Sequence, residues 1–338
     1  MKILLYFESE KLLATSGIGR ARRHQQEALT SVGIDWTTDP WEEDYDILHI
    51  NTFGINSNNI INRARKNNIP VVYHAHTTEE DFRNSFIFSN QIAPLLKMRL
   101  IELYSSADVI ITPTPYSKTL LEAYGIEKEI YPVSNGIDLN RFVYDEEKVK
   151  AFRKYFSLKE EDKVILSVGL YFERKGILDF MEVAKQLPEY KFIWFGYTNR
   201  MLIPKTVRDV LDDHPANVIL PGYVKGAIIE GAYMDSEVFF FPSYEETEGI
   251  VVLEALSAKQ KVVVRNIGVY DEWLEDGVNC YMCEDNNGFV KTIRAVVENT
   301  LPSTAESAYV TAESKSIHNI GIELKRVYEE LLSRSFDE

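Results

Sequence analysis

The stretch Glu237–Lys259, EVFFFPSYEETEGIVVLEALSAK, indicates which fold the rest of the chain should adopt. It begins with a continuous apolar run, Val238–Phe241, which is typical of a parallel strand buried on both faces. A Pro-Ser pair ends this strand, an acidic loop follows, and Gly249 allows the backbone to come close to a ligand. From Ile250 onward the pattern predicts a helix. A buried strand, a loop and a helix in this order form the repeating unit of parallel α/β sheets.

The start of this helix is a candidate ligand site. Its first turn has free amide N–H groups and the positive end of the helix dipole, which together attract phosphate. Glu246 in the loop and Glu254 in the helix could both reach hydroxyl groups of one ligand. This combination predicts a site for a sugar nucleotide. The alternative is structural, because carboxylates before a helix also stabilise its N-terminus.

Length and composition suit a soluble protein of two domains. The chain has 338 residues, of which 45% are hydrophobic and 26% are charged. No apolar run approaches the roughly 20 residues that a membrane span requires, and the opening MKILLYFESEKLL is expected to be a first strand rather than a signal peptide. The net charge of −15 argues against a nucleic-acid partner. Cys280 and Cys283 form a lone C-x-x-C, interpreted as reduced thiols in a cytoplasmic protein.

Strand patterns alternate with helical patterns in both halves of the chain, as βαβ units do. We therefore expect two doubly wound domains, with the connection near Pro132–Phe142. The predicted divisions are 1–142, 143–310 and a C-terminal helical segment, 311–338, that could pack back on the N-terminal domain. The last helix, near Ile320–Ser333, has no strand after it.

Gly17 and Gly19 precede a predicted helix that begins at Arg20. A dinucleotide-binding loop would show G-x-G-x-x-G soon after the first strand, so a dehydrogenase is disfavoured. A glycine-rich turn that opens a helix can still offer amides to a phosphate. The alternative is a plain turn before a helix.

Two strand ends carry side chains that suit a ligand crevice. His74 and His76 lie two positions apart, so both point to the same side at the carboxyl end of a strand. Arg174 and Lys175 follow another strand, where adjacent cations can neutralise a diphosphate. Each pattern also has a structural interpretation, as buried histidines and a solvated loop.

Taken together, these segments resemble the retaining glycosyltransferase family 4. The matches are Ser16–Arg20, His76, the segment SNGIDLNRF at 134–142, the RKG at 174–176 and the E-x7-E formed by Glu246 and Glu254. The resemblance implies a GT-B fold, in which two Rossmann-like doubly wound domains face each other across a cleft. The first domain is then expected to hold the acceptor and the second the nucleotide sugar.

The resemblance implies a role for each matched residue. Glu246 would bind hydroxyls of the donor sugar, Glu254 those of the ribose, and the backbone of 222–224 would read the uracil. Amides at Gly17 and after Gly249 would hold the diphosphate. The residues expected to bind the donor are Gly17, Gly222, Tyr223, Val224, Gly249, Ile250, Val251 and Glu254. A departure is Glu248, where the family often has phenylalanine.

The resemblance also implies the chemistry. The residues expected to act in catalysis are His76, Glu246, Lys175 and Arg174. Lys175 and Arg174 would neutralise the diphosphate, and His76 would contact the donor sugar. No carboxylate can be singled out as a covalent nucleophile, and the resemblance implies front-face transfer, in which the protein stabilises the departing charge. The co-substrate is a UDP-sugar, and neither a metal nor another cofactor is expected.

Within the family, the opening segment and YHAHTTEEDF resemble bacterial glycolipid synthases, which add a second hexose to monoglucosyl-diacylglycerol. Apolar and basic residues on one helix can lie on an anionic membrane surface. We therefore expect a protein bound peripherally to the inner face of the cell membrane. The residues expected at the acceptor and membrane are Arg20, Arg22, Arg23, Phe82, Phe86, Phe88, Lys97 and Arg99. The alternative is that the apolar ones form an ordinary buried helix face.

Two other functions are compatible with these patterns. One is a soluble family 4 transferase that acts on a polysaccharide or a small sugar. The other is a GT-B sugar-nucleotide epimerase or an inactive binding protein. Glucose and galactose, which differ in the orientation of one hydroxyl, are both candidate donor sugars.

Overall fold

The structure is a computed structural model that describes residues 1–8 and 17–334, with only the backbone of Ile18. The chain divides into two compact units. The first unit comprises Met1–Phe82, Gln91–Ile137 and Lys315–Glu338, and the second comprises Arg83–Asn90 and Asp138–Ser314. The domain bounds expected from the sequence, 1–142, 143–310 and 311–338, stay a prediction.

The first unit is built on a six-stranded sheet in the order β2-β1-β3-β4-β5-β6. All its strand pairs are parallel. The strands are β1 (Lys2–Tyr6), β2 (Asp35–Thr37), β3 (Ile47–Ile50), β4 (Val71–His74), β5 (Val109–Thr112) and β6 (Glu129–Pro132). The three central strands β3, β4 and β5 are buried throughout, because helices cover both faces of a parallel sheet.

Helices pack on both faces of this sheet, with one apolar core on each face. They are α1 (Gly17–Ser31), α2 (Ser57–Lys66), α3 (Glu79–Phe82), α4 (Ser89–Ser105), α5 (Pro115–Ala123) and, from the end of the chain, α13 (Ile317–Arg334). Helix α13 lies against α1, and a Cβ at Gly321 would be 2.4 Å from the carbonyl oxygen of Ala28. Only glycine allows the two helices this distance. The C-terminal helix is therefore part of the core of the first unit.

The second unit repeats the same architecture with the strand order β12-β11-β10-β7-β8-β9. Its strands are also parallel. They are β7 (Val164–Val168), β8 (Lys191–Phe195), β9 (Val218–Gly222), β10 (Val238–Phe241), β11 (Val262–Arg265) and β12 (Tyr281–Cys283). The helices are α6 (Glu146–Tyr155), α7 (Ile177–Gln186), α8 (Lys205–Asp212), α9 (Ala227–Asp235), α10 (Ile250–Ser257), α11 (Asn286–Val297) and α12 (Ala305–Ser314).

The strand orders place one switch point in each sheet. In the second unit, β7 lies between β8 and β10, so the chain leaves β7 on one side and returns on the other. In the first unit, β1 lies between β2 and β3. Ligands of open α/β sheets bind at the carboxyl ends of strands at such points. The two parallel sheets confirm the predicted α/β doubly wound fold, and they indicate where each unit presents its functional side chains.

Candidate active site

The loops that follow β7 and β10 meet in an ion pair between Lys175 and Glu246. The Nζ atom of Lys175 lies 2.5 Å from Oε1 and 2.6 Å from Oε2 of Glu246. The Ser243 hydroxyl donates a hydrogen bond of 2.6 Å to Oε1. Glu246 is only 5% exposed, and a buried carboxylate needs such partners to remain charged. Neighbouring parallel strands thus bring a cation and an anion, 71 residues apart in sequence, to one edge of the sheet.

Arg174, also buried, holds the same two loops together. Its NH1 atom donates to the carbonyl oxygen of Glu245 at 2.9 Å, and its Nε donates to the Ser85 hydroxyl at 3.1 Å. Its own carbonyl oxygen accepts from the Tyr244 amide at 2.8 Å. The guanidinium lies 3.9 Å from Oε1 of Glu246, farther than the ammonium of Lys175. Arg174 therefore orders the loop, while Lys175 makes the closer contact with the carboxylate.

Two glycines let the backbone take the shape that this site needs. Gly176 has φ of +76°, and a Cβ there would lie 2.3 Å from the carbonyl oxygen of Pro242. Gly249, with φ of 89° and ψ of 60°, is the N-cap of α10. Both positions have the left-handed conformation that favours glycine. The first-turn amides of α10, at Ile250 and Val251, begin beside the Glu246 loop, where helix amides have no carbonyl partner within the helix.

Glu254 lies inside α10 and is 1% exposed. Arg141 NH1 donates to its Oε1 at 3.1 Å, and the Tyr233 hydroxyl donates to its Oε2 at 2.9 Å. Arg141 also donates through Nε to Glu230 at 3.0 Å. These contacts fix the position of the Glu254 carboxylate inside α10.

Arg141 and Tyr233 are site residues that the sequence interpretation missed. Arg141 lies within the segment SNGIDLNRF, which was matched to the family and interpreted as the connection between domains, with no role given to its arginine. Its 3₁₀ turn, Leu139–Phe142, precedes α6 and reaches the buried carboxylate from outside the sheet. The sequence could have pointed to Arg141, because this arginine lies inside a matched motif. No sequence pattern pointed to Tyr233, because only the fold brings α9 beside α10.

The segment expected to read the uracil lies at the end of β9. Gly222 has φ of +78°, and its carbonyl oxygen accepts a hydrogen bond of 3.0 Å from the amide of Gly196. A Cβ at Gly196 would lie 1.8 Å from the carbonyl oxygen of Gly169. The backbones at the carboxyl ends of β7, β8 and β9 therefore lie in close contact. Tyr223 follows with 48% of its surface exposed, and Val224 is half-buried.

The first unit places three histidines at the carboxyl ends of β3 and β4. His74 and His76 stack with ring centroids 3.9 Å apart, and His49 stacks on His74 at 5.4 Å. Asn51 donates through Nδ2 to the Gln25 amide oxygen at 3.0 Å, and its own amide oxygen lies 2.9 Å from His76 Nε2. Because an amide oxygen only accepts, His76 carries its proton on Nε2 and leaves the Nδ1 lone pair available.

This histidine cluster is uncharged. Burial lowers the pKa of His76 to about 3, and burial followed by the charge effect of His76 lowers the pKa of His49 to about 3. Gln25 donates from the centre of the cluster, lying 3.2 Å from His49 Nε2 and 3.3 Å from His74 Nδ1. His49 Nδ1 lies 2.5 Å from the Tyr328 hydroxyl on α13. The sequence pointed to His76 but not to the side chains that orient it.

The glycine segment predicted to bind phosphate lies at the start of α1. Gly17 is the first residue of that helix, three positions before the predicted start at Arg20. Among the residues that the structure describes, none beyond its chain neighbours and its own helical turn has an atom within 4 Å of where a Cβ at Gly17 would lie. The preceding Ser16 lies outside the described residues.

The basic residues expected at a membrane are mostly engaged within the first unit. Lys97 pairs with Glu79 at 3.2 Å, and its Nζ lies 4.1 Å from the centroid of the Tyr124 ring. Arg99 pairs with Glu102 at 3.0 Å. Arg20 and Arg22 are half-buried, whereas Arg23 is exposed. The ion pairs reduce the positive charge that α4 presents to solvent.

The apolar residues expected at the acceptor and membrane also differ in their exposure to solvent. Phe82 is half-buried and packs against the core of the first unit. Phe86 is half-buried and packs edge-on against Phe172, with centroids 6.3 Å apart. Phe88 is 67% exposed. An exposed apolar row lies along α4, where Ile92, Leu95 and Met98 are 44%, 68% and 68% exposed.

Among the described residues, no group of three or more histidine, cysteine, aspartate or glutamate side chains could hold a metal ion. Cys280 and Cys283 are buried free thiols. Within residues 1–8 and 17–334, no helix is both long enough and apolar enough to span a bilayer.

Two family models match this chain. Residues 148–313 match "Glycosyl transferases group 1" and residues 39–141 match "Glycosyltransferase Family 4". The "Processive diacylglycerol alpha-glucosyltransferase" of Acholeplasma laidlawii is 45% identical over 333 residues, which are 98% of this chain and 99% of that protein. The chain belongs to glycosyltransferase family 4. It is therefore a sugar-transferring enzyme, as the motifs predicted.

Further comparisons concern substrate class and fold. The "Alpha-monoglucosyldiacylglycerol synthase" of the same organism is 28% identical over 282 residues, covering 77% of this glycosyltransferase and 70% of that protein. The crystal structure of Anabaena HepE, in complex with UDP and glucose, aligns with a TM-score of 0.79 at 16% identity and covers 98% of this chain and 100% of HepE. The structural likeness confirms the GT-B fold.

Proposed function

We propose that this glycosyltransferase moves a hexose from a UDP-sugar to a membrane glycolipid, with retention at the anomeric carbon. The proposed acceptor is monoglucosyl-diacylglycerol and the product is a diglycosyl-diacylglycerol, the anchor of lipoteichoic acid. Two relatives with diacylglycerol in their names support a lipid acceptor, and the name of the more similar one favours glucose over galactose as the donor sugar. The UDP and glucose bound to HepE support the donor.

The observation that carries the proposal is the buried pair of Lys175 and Glu246 at the switch point of the second sheet, beside the first turn of α10. A diphosphate at this turn is attracted by the helix dipole and by the ammonium of Lys175. Glu246 then accepts hydrogen bonds from hydroxyls of the donor sugar, and Glu254 accepts from the ribose. The backbone at 222–224 faces the uracil in this proposal.

The chemistry is front-face transfer. The bond from the anomeric carbon to the diphosphate oxygen breaks, and the acceptor hydroxyl oxygen bonds to the same face of that carbon. The leaving UDP takes the proton of the acceptor hydroxyl, so the configuration is retained without a covalent enzyme intermediate. Lys175 stabilises the negative charge that develops on the diphosphate, which is the main contribution such a site makes. We also propose that His76 contacts the donor sugar.

We also propose that the enzyme binds peripherally to the inner face of the cell membrane. The row formed by Ile92, Leu95 and Met98 supports this, since an apolar helix face that remains in water can enter the headgroup region of a bilayer. Because Lys97 and Arg99 are paired with carboxylates, apolar contact contributes more to this attachment than we expected from the sequence. The exposed Arg23 adds attraction to anionic lipid.

A donor-by-acceptor screen tests the proposal. The purified enzyme is incubated with UDP-glucose or UDP-galactose and with vesicles that contain diacylglycerol or monoglucosyl-diacylglycerol, or with soluble saccharides instead. We expect an α-linked lipid product, identified from the anomeric coupling in its NMR spectrum. A β-linked product would contradict retention, and transfer to soluble saccharides alone would favour the soluble transferase. Conversion of the UDP-sugar with no acceptor present would identify an epimerase.

A further inference from the structure

Tyr270 lies behind the loop that carries Glu246. It ends a 3₁₀ turn, Gly268–Tyr270, which follows β11, and its side chain is completely buried. The ring packs edge-on against Trp273 with centroids 5.6 Å apart. A Cβ at Gly249 would lie 3.4 Å from the Tyr270 hydroxyl oxygen. The hydroxyl group therefore points at the backbone of the N-cap of α10, three residues after Glu246.

This hydroxyl has no hydrogen-bond partner among the residues that the structure describes. Other buried tyrosines donate: Tyr104 to the carbonyl oxygen of Thr77 at 2.9 Å, and Tyr281 to that of Pro302 at 2.7 Å. A buried hydroxyl without a partner destabilises a protein, because it has lost its bonds to water. A phenylalanine at 270 would fill the same volume without this cost. The orphan hydroxyl thus indicates a second arrangement of the site in which it finds an acceptor.

Glu246 is the carboxylate whose charge acts most on Tyr270. Burial, and then the negative charge of Glu246, raise the pKa of Tyr270 well above its ordinary value. In the structure, Glu246 accepts from Lys175 and from Ser243. If Lys175 turns to a diphosphate, Glu246 keeps its burial but loses its closest cation, and the Arg174 guanidinium remains 3.9 Å from Oε1. A buried carboxylate that loses its closest ion-pair partner is destabilised, and a further hydrogen-bond donor would offset part of that loss.

We propose that Tyr270 is an alternative hydrogen-bond donor to Glu246. It donates to the carboxylate when Lys175 leaves it for the diphosphate of the sugar nucleotide. This inference rests on the proposed function, since that function assigns the diphosphate to Lys175. Tyr270 is a positioning residue: its hydroxyl donates to Glu246 and keeps the carboxylate directed at the donor sugar while Lys175 binds the diphosphate.

A double-mutant cycle without any nucleotide tests the exchange of partners. Tyr270→Phe alone should leave the melting temperature unchanged or raise it, because it removes an unpaired hydroxyl. In the Lys175→Met background, where Glu246 has lost its closest cation, the same substitution should lower the melting temperature. Tyr281→Phe is the matched control, since it removes a satisfied hydroxyl and should lower the melting temperature equally in both backgrounds. A lower melting temperature for Tyr270→Phe alone, or equal effects in both backgrounds, overturns the inference.

Ligand binding provides a second test that needs only the single variant. Tyr270→Phe should weaken the binding of UDP about tenfold, the effect of one hydrogen bond to a charged group. It should leave the binding of uridine, which has no diphosphate, unchanged. If Tyr270→Phe binds UDP as tightly as the wild type does, the inference is overturned and the proposed function stands. If the wild type itself does not bind UDP, the proposed function fails, and the inference fails with it.

Discussion

Lys175 and Glu246 neutralise each other at the carboxyl edge of the second sheet, with Nζ 2.5 Å and 2.6 Å from the two carboxylate oxygens. The proposed function assigns them to two different parts of one ligand, the diphosphate and the sugar. Donor binding therefore has to separate a buried ion pair and to replace each partner. The free energy for this comes from the diphosphate, which carries more charge than the carboxylate it displaces.

Removing either member of this pair should disable transfer. We expect Glu246→Ala to lower kcat at least a hundredfold, a loss of about 2.7 kcal/mol in transition-state stabilisation, because the sugar loses its carboxylate partner. Lys175→Ala should lower kcat through weaker stabilisation of the leaving diphosphate. Steady-state kinetics with a UDP-sugar measure both effects. Glu237→Ala is the control, since Glu237 forms a partly exposed ion pair with Lys163 at 2.7 Å. Full activity in the purified Glu246 and Lys175 variants would remove this site assignment.

Arg141 should matter for both stability and donor binding. It compensates the charge of Glu254, whose side chain is 1% exposed, and breaking a buried ion pair costs roughly 3–5 kcal/mol. Arg141→Met should therefore lower the melting temperature and weaken the binding of uridine and UDP alike, because the ribose partner is displaced. Calorimetry of each ligand with the variant checks this. Uridine binding at wild-type strength would show that Glu254 does not contact the ribose.

Acid should destabilise the first unit before its carboxylates titrate. His49 and His76 have pKa values of about 3 in the folded protein and about 6.5 when unfolded. Below pH 6.5 the unfolded chain binds more protons, so stability falls as the pH falls towards 3. Each histidine contributes a slope of up to about 1.4 kcal/mol per pH unit. Chemical denaturation at pH 7, 6 and 5 measures the slope. His49→Asn should reduce it, and an unchanged slope would contradict neutral burial of His49.

Membrane attachment should depend on the apolar row of α4. Replacing Leu95 and Met98 by serine should reduce co-sedimentation with anionic vesicles at all salt concentrations. Arg23→Glu should weaken sedimentation mainly at low salt, because salt screens exposed charges over about 8–10 Å. Leu202→Ser, on an exposed apolar side chain of the second unit, is the control and should sediment as the wild type does. Wild-type protein that ignores anionic vesicles even at low salt would argue for a soluble acceptor.

Several elements were predictable because their sequence signals are local. The run Val238–Phe241 became β10 with the same bounds, and the helix expected from Ile250 became α10. The short strands β2, β6 and β12 were not predicted. They have only three or four residues at or near sheet edges, with some positions half-exposed, so neither a buried run nor a clear alternation marks them.

The sequence by itself determined the α/β class, the two parallel sheets and the residues placed at strand ends, because burial and periodicity act on neighbouring residues. Only the tertiary structure decided which charged side chains form ion pairs. It paired Lys175 with Glu246, Arg141 with Glu254 and Lys97 with Glu79, and it left the Tyr270 hydroxyl without an acceptor among the described residues. Electrostatic and hydrogen-bond energies depend on distances across strands and helices, and linear spacing does not contain those distances.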